Sequence, residues 1–202
     1  FLCSPNNPTG NTANRGDIIR LLEKSGCTVV VDEAYYEFSG KTVADLTPFY
    51  DNLIVVRTLS KAFSMAGIRV GYIISSKSST DLLNKVRPPN SLNVISLALA
   101  QTALRDLEMM RKYVEGMVKE RDRCIDFLKK HSGVIVYPSE ANFLLLKFLR
   151  VDAHEAYQRL LKKGLVTRDV SGTPGLDGCI RFSPSLTEQN DILLKTLVEV
   201  AG

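Results

Sequence analysis

The sequence predicts an α/β chain, with a mostly parallel sheet followed by a smaller α+β domain. Three observations carry that expectation. Short Val/Ile/Leu-rich runs at Phe1–Cys3, Cys27–Val31, Leu53–Val56 and Val70–Ile74 read as strands covered on both faces. Between the first two lies a helix near Asn14–Lys24, with Ile18, Leu21 and Leu22 on one side, and strand–helix–strand alternation points to parallel pairing. After Gly133 the chain changes to closely spaced strands and short helices. The expected division is therefore 1–130 as the larger domain and 131–202 as the smaller one.

The remaining elements follow from periodicity and caps. Residues 79–131 read as helical, broken by the prolines of "RPPNSLN", Arg87–Asn93, after which a helix runs from Val94 to Leu104. Met110, Val114, Met117, Cys124 and Leu128 then recur at helical spacing, with Arg121 as the exception, and read as core packing. Val134–Tyr137 and Asn142–Phe148 form two strands around a turn holding Pro138. Asp152 and Glu155 form a capping pair for the next helix and Gly164 stops it. Leu165–Arg168 and Cys179–Phe182 are two further strands, and Thr187 caps a final helix carrying Leu194, Leu197 and Val198.

Composition excludes several functions. The chain has 202 residues, 45% hydrophobic and 24% charged, which is ordinary for a globular protein. A net charge of +4 without any Lys/Arg block gives no nucleic-acid surface. No apolar run approaches the ~18–20 residues that span a bilayer, and no signal peptide opens the chain, so no membrane partner is expected. Cys3, Cys27, Cys124 and Cys179 are widely spaced and read as buried free thiols of a reducing, cytoplasmic compartment. His131 and His154 lack partners at ligand spacing and read as surface residues, so no metal site is expected. "FLCSP" reads as a core strand starting at the first residue, which is the pattern of a fragment of a longer chain.

Four clusters carry candidate chemistry. "SPNNPTG", Ser4–Gly10, is a rigid turn after a strand, and fits either a plain loop or a ligand loop, since two asparagines flanked by prolines are more than a turn needs. In "VVVDEAYYEF", Asp32 sits at the carboxyl end of an apolar strand with Tyr35 three residues on. A helix cap or surface loop would explain it, and so would pairing with a cationic ring nitrogen. In "VVRTLSKAFSMAGIRVGY", Thr58, Ser60 and Arg69 suit a phosphate. Lys61 is the one amine among them, and partial desolvation near cations makes such an amine nucleophilic toward a carbonyl. In "GCIRF", Arg181 lies inside an apolar strand, as an anion binder or as half of a structural ion pair.

In that order, "SPNNPTGN", "VVVDEAYYEF", "RTLSKAFSMAGIRVGY" and "GLVTRDVSGTPGLDGCIRFS" resemble the histidinol-phosphate aminotransferases of the fold-type-I superfamily that uses pyridoxal 5'-phosphate. The resemblance spans Phe1–Gly202 but only the later part of the family's length, which implies an incomplete three-layer large domain and a small C-terminal domain. It implies that Lys61 bonds covalently to the cofactor aldehyde and moves the substrate proton, and that Asp32 pairs with the pyridine nitrogen. It implies that Asn7 and Tyr35 hydrogen-bond the ring's phenolic oxygen, and that Thr58, Ser60 and Arg69 hold part of the phosphate. Arg181 and Arg168 would bind the anionic groups of small-molecule amine and 2-oxo acid substrates. A homodimer is implied by the family alone. Asn90 and Asn93, where the family has an aromatic and an asparagine, receive no role. The related readings are threonine-phosphate decarboxylase, an aromatic amino acid aminotransferase, or a non-catalytic regulatory module of this fold. The joint presence of Lys61, Asp32 and Arg181 argues against the last.

Overall fold

The computed structural model describes residues 1–202, which divide into two compact units. The first comprises Phe1–Asn6 and Thr12–Val114, and the second comprises Asn7–Asn11 and Glu115–Gly202.

The first unit is built on a four-stranded sheet, β1 (Leu2–Cys3), β2 (Val29–Asp32), β3 (Leu53–Thr58) and β4 (Gly71–Ser75), in that spatial order. β1, β2 and β3 pair in parallel, and β4 returns antiparallel to β3. The crossover from β1 to β2 is α1 (Arg15–Lys24). It starts at Asn14, whose side chain accepts from the Gly16 and Asp17 amides, two donors that have no partner inside the helix. Ile18 and Leu22 of α1 pack on Val29, Val31, Leu53 and Val55.

The alternation along β2 and β3 is sharper than the sequence leads one to expect. Val31, Leu53 and Val55 are fully buried, whereas Val30, Ile54 and Val56 are half-buried. These strands were expected to be covered on both faces. Within this chain only the α1 face is packed dry, and the other is where Asp32 and Thr58 stand. At the start of β4, a Cβ on Gly71 would lie 2.8 Å from the Arg57 carbonyl oxygen, so glycine lets the antiparallel strand close on β3.

Three helices complete this unit's sequence: α3 (Lys77–Val86), α4 (Val94–Arg105) and the first part of α5 (Glu108–Leu128). A short helix, α2 (Tyr36–Ser39), follows β2. Arg87–Asn93 is non-helical as expected, and Asn93 caps α4 by accepting from the Ser96 amide at 2.8 Å. Asn93 thereby acquires a structural role, and Asn90 sits in a turn at φ +57°.

The second unit has an antiparallel sheet in the order β5 (Val134–Val136), β6 (Leu144–Phe148), β8 (Cys179–Phe182), β7 (Arg168–Asp169). Its core joins Cys124 and Leu128 of α5, Ala156 and Leu160 of α6 (Ala153–Lys162), and Leu194 and Leu197 of α7 (Thr187–Ala201) to Leu144, Leu146 and Ile180. Asp152 caps α6 by accepting from the His154 and Glu155 amides. Three expectations need correction. Thr187 does not cap α7: Leu186 holds the cap position, and the Thr187 hydroxyl donates to Glu120 at 3.0 Å. Cys3 and Cys27 are exposed, and only Cys124 and Cys179 are buried, although all four are free. His131 is half-buried, with its ring centroid 4.8 Å from that of Phe127.

Candidate active site

In the first unit, six of the residues singled out lie at or after the carboxyl ends of β2 and β3, where parallel sheets place their ligands. Asp32 closes β2, and its Oδ1 accepts from the Ala34 amide at 2.9 Å, which turns the chain off the sheet. Tyr35 follows, with 7% of its surface exposed. Thr58 closes β3. Its hydroxyl donates to Ser60 Oγ at 2.9 Å and accepts from the Ser60 amide at 3.1 Å, so the two hydroxyls form one polar step. Lys61 comes next, half-buried, with Nζ 5.3 Å from the centroid of the Tyr35 ring. That is within cation–π range and brings together residues 26 positions apart in the sequence. Arg69 is exposed, adopts φ +57° and donates to the Ala66 carbonyl at 2.9 Å. A non-glycine residue in the left-handed region persists only where its surroundings hold it there, and such residues cluster at ligand clamps.

Beneath this cluster lies a second polar group that the motifs do not reveal. Glu33 is 2% exposed and Arg57 is 9% exposed. Arg57 Nε and Nη2 donate to Glu33 Oε2 at 3.0 and 2.8 Å, while Glu33 Oε1 accepts from the Val43 amide at 2.8 Å. Thr42 donates to the same carboxylate and accepts from Arg57 Nη2. The Arg57 guanidinium stacks on the Tyr36 ring, 3.6 Å from its centroid. Burial alone would lower the Arg57 pKa, but the hydrogen bond and charge of Glu33 outweigh it and hold that pKa above the ordinary value. Burial lifts the Glu37 carboxyl and the Tyr72 phenol above their usual ranges. The available signal was Arg57 itself, a guanidinium at the end of an apolar strand that calls for a carboxylate.

The second unit gathers the other three residues. Arg181 lies within β8, and its Nη1 donates to Asn7 Oδ1 at 2.7 Å. Its guanidinium carbon is 5.2 Å from the Phe143 ring centroid, and its Nε is buried without a partner. Arg168 of β7 stands directly opposite Arg181 in the strand register. Like charges in that position repel unless an anion lies near them. The loop that carries Asn7 is fixed by Gly10, at φ +79°, whose carbonyl accepts from the Glu140 amide at 2.7 Å. A Cβ on Gly10 would come within 2.8 Å of Ser139 Cβ, so the Asn-Pro-Thr-Gly turn requires its glycine.

Comparison with known proteins identifies the family. A family model described as aminotransferase class I and II matches residues 1–197. A histidinol-phosphate aminotransferase of Thermoanaerobacter pseudethanolicus is 46% identical over 200 residues, covering 99% of this chain and 56% of that protein. Among solved structures, the histidinol-phosphate aminotransferase of Clostridium acetobutylicum superposes with a TM-score of 0.92 at 29% identity, covering 99% of this chain and 63% of that one. That of Sinorhizobium meliloti, solved in complex with pyridoxal-5'-phosphate, gives 0.87 at 27% identity, covering 99% and 56%. The L-threonine-O-3-phosphate decarboxylase of Porphyromonas gingivalis gives 0.86 at 28% identity, covering 97% and 62%. The chain thus spans little more than half the length of the curated relative it matches. With the match running through both units, the chain belongs to the aminotransferase class I and II family.

Proposed function

We propose that this chain is the later part of a pyridoxal-phosphate-dependent aminotransferase acting between histidinol phosphate and 2-oxoglutarate/glutamate in histidine biosynthesis. One observation carries the reading: an amine, Lys61, stands against the Tyr35 ring at the strand ends that also present Asp32 and the Thr58–Ser60 hydroxyl pair. The donor set fits the cofactor. Asp32 is a carboxylate for a protonated ring nitrogen, Asn7 and Tyr35 are polar partners for a phenolic oxygen, and Thr58, Ser60 and Arg69 are donors for a phosphate. Pyridoxal phosphate, when bound, supplies an aldehyde and an electron-withdrawing ring that stabilises negative charge at the substrate α-carbon. Lys61 would take the proton from that carbon as a base and deliver it, as an acid, to the C4′ carbon of the cofactor. Arg181 takes the carboxylate of glutamate or 2-oxoglutarate and, with Arg168, the phosphate of the amine substrate. The unpartnered Nε of Arg181 and the facing pair of like charges support that role. The domain division at residues 130 and 131, a homodimer and a cytoplasmic location complete the proposal. No helix is long and apolar enough to cross a membrane.

The 46% identity to a histidinol-phosphate aminotransferase along 99% of this chain favours transamination, although among solved structures such an aminotransferase and the threonine-phosphate decarboxylase stand level at 29% and 28% identity. The test uses the intact protein. Pyridoxal phosphate produces a visible absorbance band that borohydride abolishes and that Lys61→Ala lacks, and histidinol phosphate bleaches it. Absence of the band in the wild type overturns the cofactor assignment. Release of carbon dioxide from threonine phosphate, without amino transfer to 2-oxoglutarate, selects the decarboxylase instead.

A further inference from the structure

Three residues assigned to the cofactor each have, as an immediate neighbour in sequence, a member of the buried Glu33–Arg57 network. Asp32 precedes Glu33, Tyr35 precedes Tyr36, and Arg57 precedes Thr58. In the two strands the cause is the two-residue period. Arg57 follows Val55 onto the buried face, Thr58 follows Val56 onto the half-open one, and Glu33 continues the buried face of β2 while Asp32 stays on the other. The network therefore grips the reverse side of the backbone that carries the site. Glu33 ties the end of β2 to the end of β3 through Arg57 and to the Thr42–Val43 loop through Oε1, and Tyr36 closes the other side of the guanidinium. The strand ends are already joined by the Glu33 amide donating to the Val56 carbonyl at 2.8 Å. That bond sets their separation. The side-chain network fixes how they turn as the strands give way to loops, and so where Tyr35 and Lys61 meet.

We infer that Arg57 and Glu33 are positioning residues for the cofactor-binding strand ends, touching neither cofactor nor substrate. The inference rests on the pyridoxal-phosphate reading above, and one of its readouts is independent of that reading. Arg57 is suited to the task because its planar guanidinium can chelate a carboxylate and stack on a ring at once, which a lysine ammonium cannot do.

The experiment compares intact wild type with Arg57→Lys and with the double variant Glu33→Gln/Arg57→Met. The double variant removes both charges together and leaves neither buried alone. Two quantities are measured: amide hydrogen exchange in cofactor-free protein, and the affinity for pyridoxal phosphate with the visible circular dichroism of the bound form. The expected result is at least tenfold faster exchange across residues 31–36 and 57–61, with the second unit unchanged. Cofactor affinity falls at least tenfold, and the dichroic band weakens per molecule bound. A purely structural pair would lower stability throughout the first unit and leave the dichroism of each bound molecule unaltered. Unchanged local exchange in both variants overturns the inference, as does a wild-type dichroic signature. Should the double variant fail to fold, Arg57→Lys alone decides by the same readouts. If the wild type binds no pyridoxal phosphate, the functional reading fails, while the exchange measurement still decides whether the pair holds the strand ends.

Discussion

Two arginines sit inside apolar strands of this protein, one in each unit, and their surroundings are opposite. Arg57, in β3, is enclosed: a carboxylate takes two of its donors, a threonine a third, and a tyrosine ring covers its face. Arg181, in β8, meets no carboxylate. It has a single asparagine oxygen, an aromatic neighbour, a buried Nε without a partner, and another arginine across the ladder. The sequence left both roles open for a strand arginine, structural ion pair or anion site. Arg57 takes the first role and Arg181, on the function proposed above, the second, and the difference lies in whether a carboxylate has been built to meet the guanidinium.

The comparison predicts a graded series of responses when an arginine's partner is removed. The largest belongs to Glu33. Replacing it with alanine strands a buried guanidinium, and such losses run to roughly 3–5 kcal/mol. Urea denaturation should show the midpoint fall with the slope unchanged. A loss below ~1 kcal/mol would mean that Arg57 re-solvates and is not enclosed as described.

Next comes Glu120, whose carboxylate accepts from Arg123, Thr187 and Asn190 and whose side chain is 15% exposed. Its hydrogen bond from Arg123, aided by those from Asn190 and Thr187, holds its pKa at about 2, against an ordinary 4.5. A carboxyl with a depressed folded-state pKa adds stability that is fully present above the ordinary value and is lost as pH falls towards the depressed one. The second unit should therefore lose stability between pH ~4.5 and ~2, and Glu120→Gln should remove most of that dependence at a cost of about 1–2 kcal/mol at neutral pH. Thermal melts of both proteins across that window measure it, and parallel pH profiles would refute the assignment.

A smaller effect is expected at Asp45, which chelates Arg15 at 2.6 and 2.8 Å on the surface, where the two side chains are 60% and 45% exposed. Asp45→Asn should cost no more than about 0.2–1 kcal/mol and less still at high salt. Denaturation at two ionic strengths checks this. A loss as large as that at Glu33 would show that burial is not what separates these pairs.

How much of this was legible in the sequence depends on range. Runs such as Leu53–Val56 and Cys179–Phe182 announce strands because apolar continuity is local, and Asn14 and Asp152 mark helix starts within three residues of their partners. Lys61, Asp32, Thr58 and Arg181, the residues proposed for the site, stand out in short motifs whose residue types suit the proposed chemistry. The Glu33–Arg57 pair was not, since it joins positions 24 apart, and their meeting follows from the parallel register that sets Val31 against Val55. The Thr187 error has the same origin. A local reading makes this hydroxyl a cap, whereas Glu120, 67 positions away, accepts its hydrogen bond. Likewise, exposure of Cys3 depends on which face of the sheet is packed, and composition alone carries no such information.

The smallest stability effect is expected at Arg181, and it is also the sharpest test of the contrast. Arg181→Met removes one hydrogen bond to Asn7 and relieves the repulsion from Arg168, so the folded state should change by no more than ~0.5 kcal/mol in either direction. Binding should respond quite differently. A guanidinium bound to a substrate anion contributes roughly 1.5–3 kcal/mol, so the KM for the 2-oxo acid should rise about tenfold to a hundredfold in the intact protein. Measuring stability and KM on the same preparation separates the two roles of a strand arginine. A substitution that destabilises Arg181's unit as Glu33→Ala destabilises the other, with KM unchanged, would make Arg181 a second structural arginine and remove the anion site from the second unit.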